Sequence, residues 1–145
     1  MRDSATPDPN NLAVGDTGPI VVAKNLERRD FVRFAGASGD FNPIHYDEPH
    51  AKEAGNQSVF AQGMLNMGIA SRVLTDWFGV VPITRFRVRF QSRAFPGDTL
   101  TTTGEIVEIS QEDDETVVEV EIHMTNQDDD PVVTGDATLR LPPSK

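Results

Sequence analysis

Residues 63–78 read "GMLNMGIASRVLTDWF". Wound as a helix, Met64, Leu65, Met67, Ile69, Ala70, Val73, Leu74, Trp77 and Phe78 leave almost no polar side. A helix apolar nearly all round is expected to be enclosed by the rest of its fold. The chain downstream supplies the enclosing material. After Pro82 the apolar period drops to two: Phe86, Val88 and Phe90 alternate with Arg85, Arg87 and Arg89, and Val118, Val120, Ile122 and Met124 alternate with Val117, Glu119, Glu121 and His123. Val133, Gly135, Ala137, Leu139 and Leu141 make a further run. This is the pattern of half-buried antiparallel strands, separated here by the turn signals "FPGDT", "QEDDE" and "NQDDDP". A helical first half followed by about four long strands predicts an α+β layer in which the sheet curls around the apolar helix.

Upstream, residues 20–23 predict a short strand, and Asn25 is placed to cap a helix carrying Leu26, Phe31, Phe34 and Ala35 at helical spacing, with Gly36 and Gly39 ending it. A short helix is expected over residues 47–54, stopping at Gly55. Residues 1–12, rich in Pro, Asp and Asn, read as a disordered tail, and residues 13–145 as a single domain.

Composition restricts the chemistry. The 145 residues include no Cys, which removes disulfides, thiolate metal sites and cysteine nucleophiles. Thirteen Lys+Arg against 23 Asp+Glu give a formal charge of −10, a balance opposed to nucleic acid and anionic membranes. The opening residues hold no signal-type apolar segment, so the expected location is the cytoplasm.

Between the first two helices lies "ASGDFNPIHYDE", residues 37–48. Gly39 permits a sharp bend, and Pro43 turns Asn42 away from helical angles, so the segment must run irregularly. A curled loop can aim Asp40 and His45 into one pocket, where a carboxylate and an imidazole are able to work on a single water as base and acid. The same residues also fit a plain structural role, with Asp40 capping a turn and His45 packing in a loop. His45, Asp47 and His123 further spell the ligand order of a two-histidine, one-carboxylate iron site. The strand alternation, however, turns His123 toward solvent, so no metal is expected.

Three segments together, "FVRFAGASGDFNPIHYDEPHAKEAG", "FAQGMLNMGIASRVLTDWFG" and "RFRVRFQSRAFPGDTL", resemble the MaoC-like (R)-specific enoyl-thioester hydratases and dehydratases, over about residues 13–141. Within that family the chain looks most similar to the catalytic subunit of (3R)-hydroxyacyl-ACP dehydratases. The resemblance implies a hot-dog fold with the helix of residues 64–78 at its centre. It implies that Asp40 and His45 are the catalytic pair, adding or removing water at the C2=C3 bond of an acyl thioester of coenzyme A (CoA) or acyl carrier protein, with no cofactor. The open edge strand of a single sheet wrapped on one helix predicts a homodimer, and the dehydratase resemblance implies a heterodimer with a related hot-dog subunit as the other form. A hot-dog thioesterase and a non-catalytic subunit of a dehydratase complex are the alternatives.

Such a reaction needs a donor for the negative charge on the thioester oxygen, and the helix entry at Gly63 offers a backbone N–H, although glycine there also fits a tight turn. Where the family often has His before that glycine, this chain has Gln62, read here as tuning pocket shape. Asn42 is expected to hold the loop. Arg85, Arg87, Arg89 and Arg93 form a dense basic patch; the first three share one strand face, and they either meet the phosphates of CoA or the acidic surface of a carrier protein, or form a solvated face balanced by Glu119 and Glu121. Met64 and Met67 line either an acyl tunnel or the core.

Overall fold

The computed structural model describes residues 6–79 and 83–143. Its helices are α1 (Arg28–Ser38), α2 (Glu48–Glu53) and α3 (Gly63–Phe78), and its strands are β1 (Val21–Ala23), β2 (Ile83–Phe90), β3 (Leu100–Glu112), β4 (Glu115–Thr125) and β5 (Pro131–Leu141). The strands form one antiparallel sheet in the order β1-β3-β4-β5-β2. None of the described helices is long and apolar enough to cross a membrane.

The inward residues of β4 and β5 follow the period-two reading. Val118, Val120, Ile122, Met124, Val133, Ala137, Leu139 and Leu141 are all fully buried, joined by Leu100 and Ile106 of β3. Against this surface α3 lays Ala70, Val73, Leu74 and Phe78, and α1 lays Phe31. Gly104 of β3 lies under α3, where an added Cβ would sit 3.3 Å from Val73, so a side chain there would press on the helix.

Three expectations need correction. The helix α3 is not enclosed on all sides: Met64 is 58% exposed, and Leu65, Met67 and Ile69 are only partly covered. One sheet layer shields one helix face, and α1 covers only part of the rest. Next, α1 is capped at Glu27 rather than Asn25, because the Glu27 side chain and that of Asp30 form a reciprocal capping box, and the preceding Leu26 is pinned by backbone hydrogen bonds with Gly97 and Asp98. Gly36 stays inside the helix, and only Gly39, at a φ of 76°, takes the left-handed conformation that ends it. Finally, β2 is less buried than its alternation implies. As an edge strand it pairs with β5 alone, leaving Phe90 48% exposed and Phe86 and Val88 partly covered.

Residues 1–5 of the expected tail lie outside the described residues. Of the remainder, Pro9–Asn11 form a 3-10 turn capped by Asp8, and Leu12 packs on the core, so order begins ahead of residue 13.

Candidate active site

The site grows out of the C-terminus of α1. Around Gly39, three short side chains bond to backbone groups two residues on, which bends the chain in steps. Ser38 Oγ accepts from the Asp40 N–H at 3.1 Å, Asp40 Oδ1 from the Asn42 N–H at 3.3 Å, and Asn42 Oδ1 from the Ile44 N–H at 3.2 Å. Asn42 thereby caps a 3-10 turn, Pro43–His45, with Pro43 at its first position. These steps fold His45 back onto Asp40, bringing His45 Nε2 to 3.7 Å from Asp40 Oδ2. The two oxygens of Asp40 are therefore placed differently. Oδ1 closes the turn, and Oδ2 faces the imidazole.

His45 is buried, while the Asp40 side chain is 42% exposed. The other ring nitrogen, Nδ1, lies 2.7 Å from the carbonyl oxygen of Phe60. A carbonyl oxygen can only accept, so Nδ1 carries the hydrogen and Nε2 is the nitrogen that faces Asp40. The Phe60 ring stands edge-on to the imidazole with centroids 5.1 Å apart, and the Arg93 guanidinium lies 5.0 Å from the Phe60 centroid on that ring's face. Sequence reasoning did not single out Phe60. Its contribution is a backbone carbonyl, which any residue type would supply.

Three residues beyond Phe60, α3 begins. Its cap residue Gln62 is fully buried, yet its side chain makes no capping bond; Nε2 instead donates 2.8 Å to the Phe31 carbonyl in α1. The Gln62 amide is thus a strut between α1 and α3. With the cap diverted, the first-turn N–H of Gly63 has no acceptor among the described residues, at the end of the helix where the dipole favours negative charge. A Cβ on Gly63 would sit 3.0 Å from the Phe90 ring, so that ring also closes on the site.

The remaining candidates lie elsewhere. Arg85, Arg87 and Arg89 project from the sheet face opposite Phe86 and Val88, away from α3. Arg85 pairs with Glu119 at 3.3 Å and Asp136 at 3.0 Å, and Arg87 with Asp136 at 3.0 Å, which is the balanced-face arrangement. The residues of the iron-site reading are employed separately. Asp47 caps α2, and His123 lies on the outer face of β4 beside Glu121. No three His, Cys, Asp or Glu side chains converge as a metal site among the described residues. Met64 is exposed and Met67 partly covered, so neither belongs to the core.

One carboxylate away from the pair is strongly shifted. Glu48, at the first turn of α2, is held down to about 2, chiefly by its bond to Arg28 at 2.7 Å, with Lys52 at 3.2 Å adding to it against an opposing effect of burial. Ser58 also donates to Glu48. This carboxylate ties α1, α2 and the segment leading to Phe60 together.

Comparisons with known proteins bear on the family and the fold. The family model described as "MaoC like domain" matches residues 12–128. The chain is 40% identical over 82 residues to the peroxisomal hydratase-dehydrogenase-epimerase of Saccharomyces cerevisiae, a match covering 57% of this chain and 9% of that protein, so it spans only a small part of that relative. It is 26% identical over 133 residues to the mitochondrial 3-hydroxyacyl-acyl-carrier-protein dehydratase of Arabidopsis thaliana, covering 90% of this chain and 78% of that one. Among solved structures, the unliganded R-hydratase of Pseudomonas aeruginosa superposes with a TM-score of 0.81 at 27% identity, covering 94% of this chain and 86% of that one. The five-stranded sheet packed on α3 is thus a hot-dog fold, and the chain belongs to the MaoC-like domain family.

Proposed function

We propose that this chain is a hydro-lyase that reversibly hydrates trans-2-enoyl thioesters to (3R)-3-hydroxyacyl thioesters, with Asp40 and His45 as its catalytic residues. The observation that carries this reading is the separation of 3.7 Å between Asp40 Oδ2 and His45 Nε2, too long for a direct hydrogen bond and close enough for both groups to reach one water lying beside them. In hydration the water oxygen bonds to C3 while the pair takes one of its protons. The C2=C3 electron pair moves toward the thioester carbonyl, and the Gly63 N–H receives the charge that builds on its oxygen. The pair then returns the proton to C2, so one water is added and nothing further is consumed. Dehydration is the reverse. Asp40 and His45 act as one coupled unit in which the proton is shared.

The dimeric expectation enters the same reading. β2 is an edge strand with Ile83 and Phe90 exposed along it, and Met64 lies exposed at the start of α3. Pairing β2 with that of a second hot-dog subunit, identical or related, would satisfy the open edge and cover this apolar surface beside Gly63. The functional test is to incubate the protein with crotonyl and longer enoyl thioesters while following the conjugated double bond and free thiol in parallel. Loss of the double bond without thiol is expected. Thiol release without loss of the double bond would instead identify a thioesterase.

A further inference from the structure

The segment entering α3 meets the candidate site at three successive points. The Phe60 carbonyl oxygen orients His45, the Gln62 amide reaches α1, and the Gly63 N–H opens α3. The middle contact links two halves of the site that different helices carry. Asp40 follows the C-cap of α1, the helix that holds Phe31, whereas Gly63 is the first residue of α3. The bond of 2.8 Å from Gln62 Nε2 to the Phe31 carbonyl oxygen ties one helix to the other.

Stability gives no reason for an amide at this position. Gln62 is fully buried, and its Oε1 has no hydrogen-bond partner among the described residues, so half of a buried amide is unpaired, which opposes folding. The Phe31 carbonyl does not depend on Gln62, since Phe31 lies inside α1, where the helical pattern supplies an N–H from four residues on. A methionine of similar length would fill the same space and leave no buried acceptor without a donor. What the amide adds is direction. A directional bond fixes the entry of α3 against α1, where apolar packing tolerates a small slide. Such a slide would move the Gly63 N–H relative to Asp40 and His45, and the transition state, in which all three act on one substrate, feels that displacement more than the bound ground state does.

We propose that Gln62 is a positioning residue for hydration, its amide setting the Gly63 N–H against the Asp40–His45 pair through the Phe31 carbonyl. This rests on the hydratase reading above, and the test separates the two. Hydration of crotonyl-CoA, followed by loss of the conjugated double bond, and thermal melting are measured for the wild type, Gln62→Met and Gln62→Glu. Gln62→Met should melt no lower than the wild type while its kcat falls about tenfold at nearly constant KM, a split that a packing role would not produce. Gln62→Glu makes the same bond titratable. A protonated carboxyl donates to the Phe31 carbonyl oxygen as the amide does, whereas a carboxylate can only accept, and burial favours the protonated form. Relative to the wild type at each pH, Gln62→Glu should therefore be close to full kcat at low pH and fall toward the Gln62→Met value as the carboxyl ionises, read only where circular dichroism shows the variant folded. Wild-type kcat in Gln62→Met overturns the proposal. So does an unfolded Gln62→Met, which would make the amide a requirement of the fold, and so does a Gln62→Glu variant no faster than Gln62→Met at low pH. No hydration by the wild type would remove the hydratase reading itself and this proposal with it.

Discussion

His45 donates from Nδ1 to the Phe60 carbonyl oxygen at 2.7 Å, and this one bond decides which face of the imidazole is available for chemistry. With Nδ1 held, Nε2 is the atom turned to Asp40 Oδ2 at 3.7 Å. Asp40→Asn keeps the turn bond to the Asn42 N–H but removes the carboxylate, and His45→Gln removes the titrating ring. Each single change is expected to lower kcat on the order of a hundredfold or more, and the double variant should be little worse than either. Hydration rates and thermal melts of the three variants check this. Near-normal turnover in a single variant with an unchanged melt would take the pair out of the mechanism.

Gly63→Ala probes the helix entry. The new Cβ would lie 3.0 Å from the Phe90 ring, which is half-exposed and able to give by a few tenths of an ångström. The fold should survive while the N–H shifts, lowering kcat by about tenfold. Adding Phe90→Ala should restore most of that loss. A double variant as slow as Gly63→Ala alone would show that the Phe90 contact is not the cause.

Gly135 of β5 is a different case, because its neighbour cannot move. A Cβ there would lie 2.4 Å from the Arg87 carbonyl oxygen, in the backbone of the paired strand β2. Gly135→Ala should therefore cost about 2 kcal/mol of stability or more, through displacement of the edge strand. Chemical denaturation of the variant reads this directly, and an unchanged midpoint would count against the register of β2 on β5.

Acid should loosen the framework at Glu48. Its carboxyl is ordinarily near 4.5 and is held at about 2 in the fold, so its stabilising contribution is complete above 4.5 and is lost as pH falls from there toward 2. Melting temperature should drop across that window, and Glu48→Gln should both lower the melt near neutral pH and flatten the drop. A variant with the wild-type acid profile would assign the acid sensitivity to other carboxylates.

Assembly is checked by light scattering, which should give at least twice the chain mass of 15.9 kDa for the active species. A stable and active monomer would refute pairing through β2.

Periodicity made most of the architecture readable before any coordinates. The apolar run of α3 and the alternating residues of β4 and β5 report directly on burial, since one face of a strand or helix must be apolar to leave water. Asp40, Asn42, Pro43 and His45 were likewise legible, because the bends they impose act over two or three residues of neighbouring chain. What only the tertiary structure decided depends on groups far apart in sequence, or on backbone atoms that no side chain announces. The Phe60 carbonyl that orients His45 is of the second kind. The diversion of Gln62 to Phe31, the neutralisation of Arg85 and Arg87 by Asp136 and Glu119, and the placing of Arg93 on Phe60 are of the first. Alternation could put three arginines on one face, but the charge opposite Arg85 and Arg87 is supplied by strands that lie 34 to 51 residues later, and that placement belongs to the folded sheet.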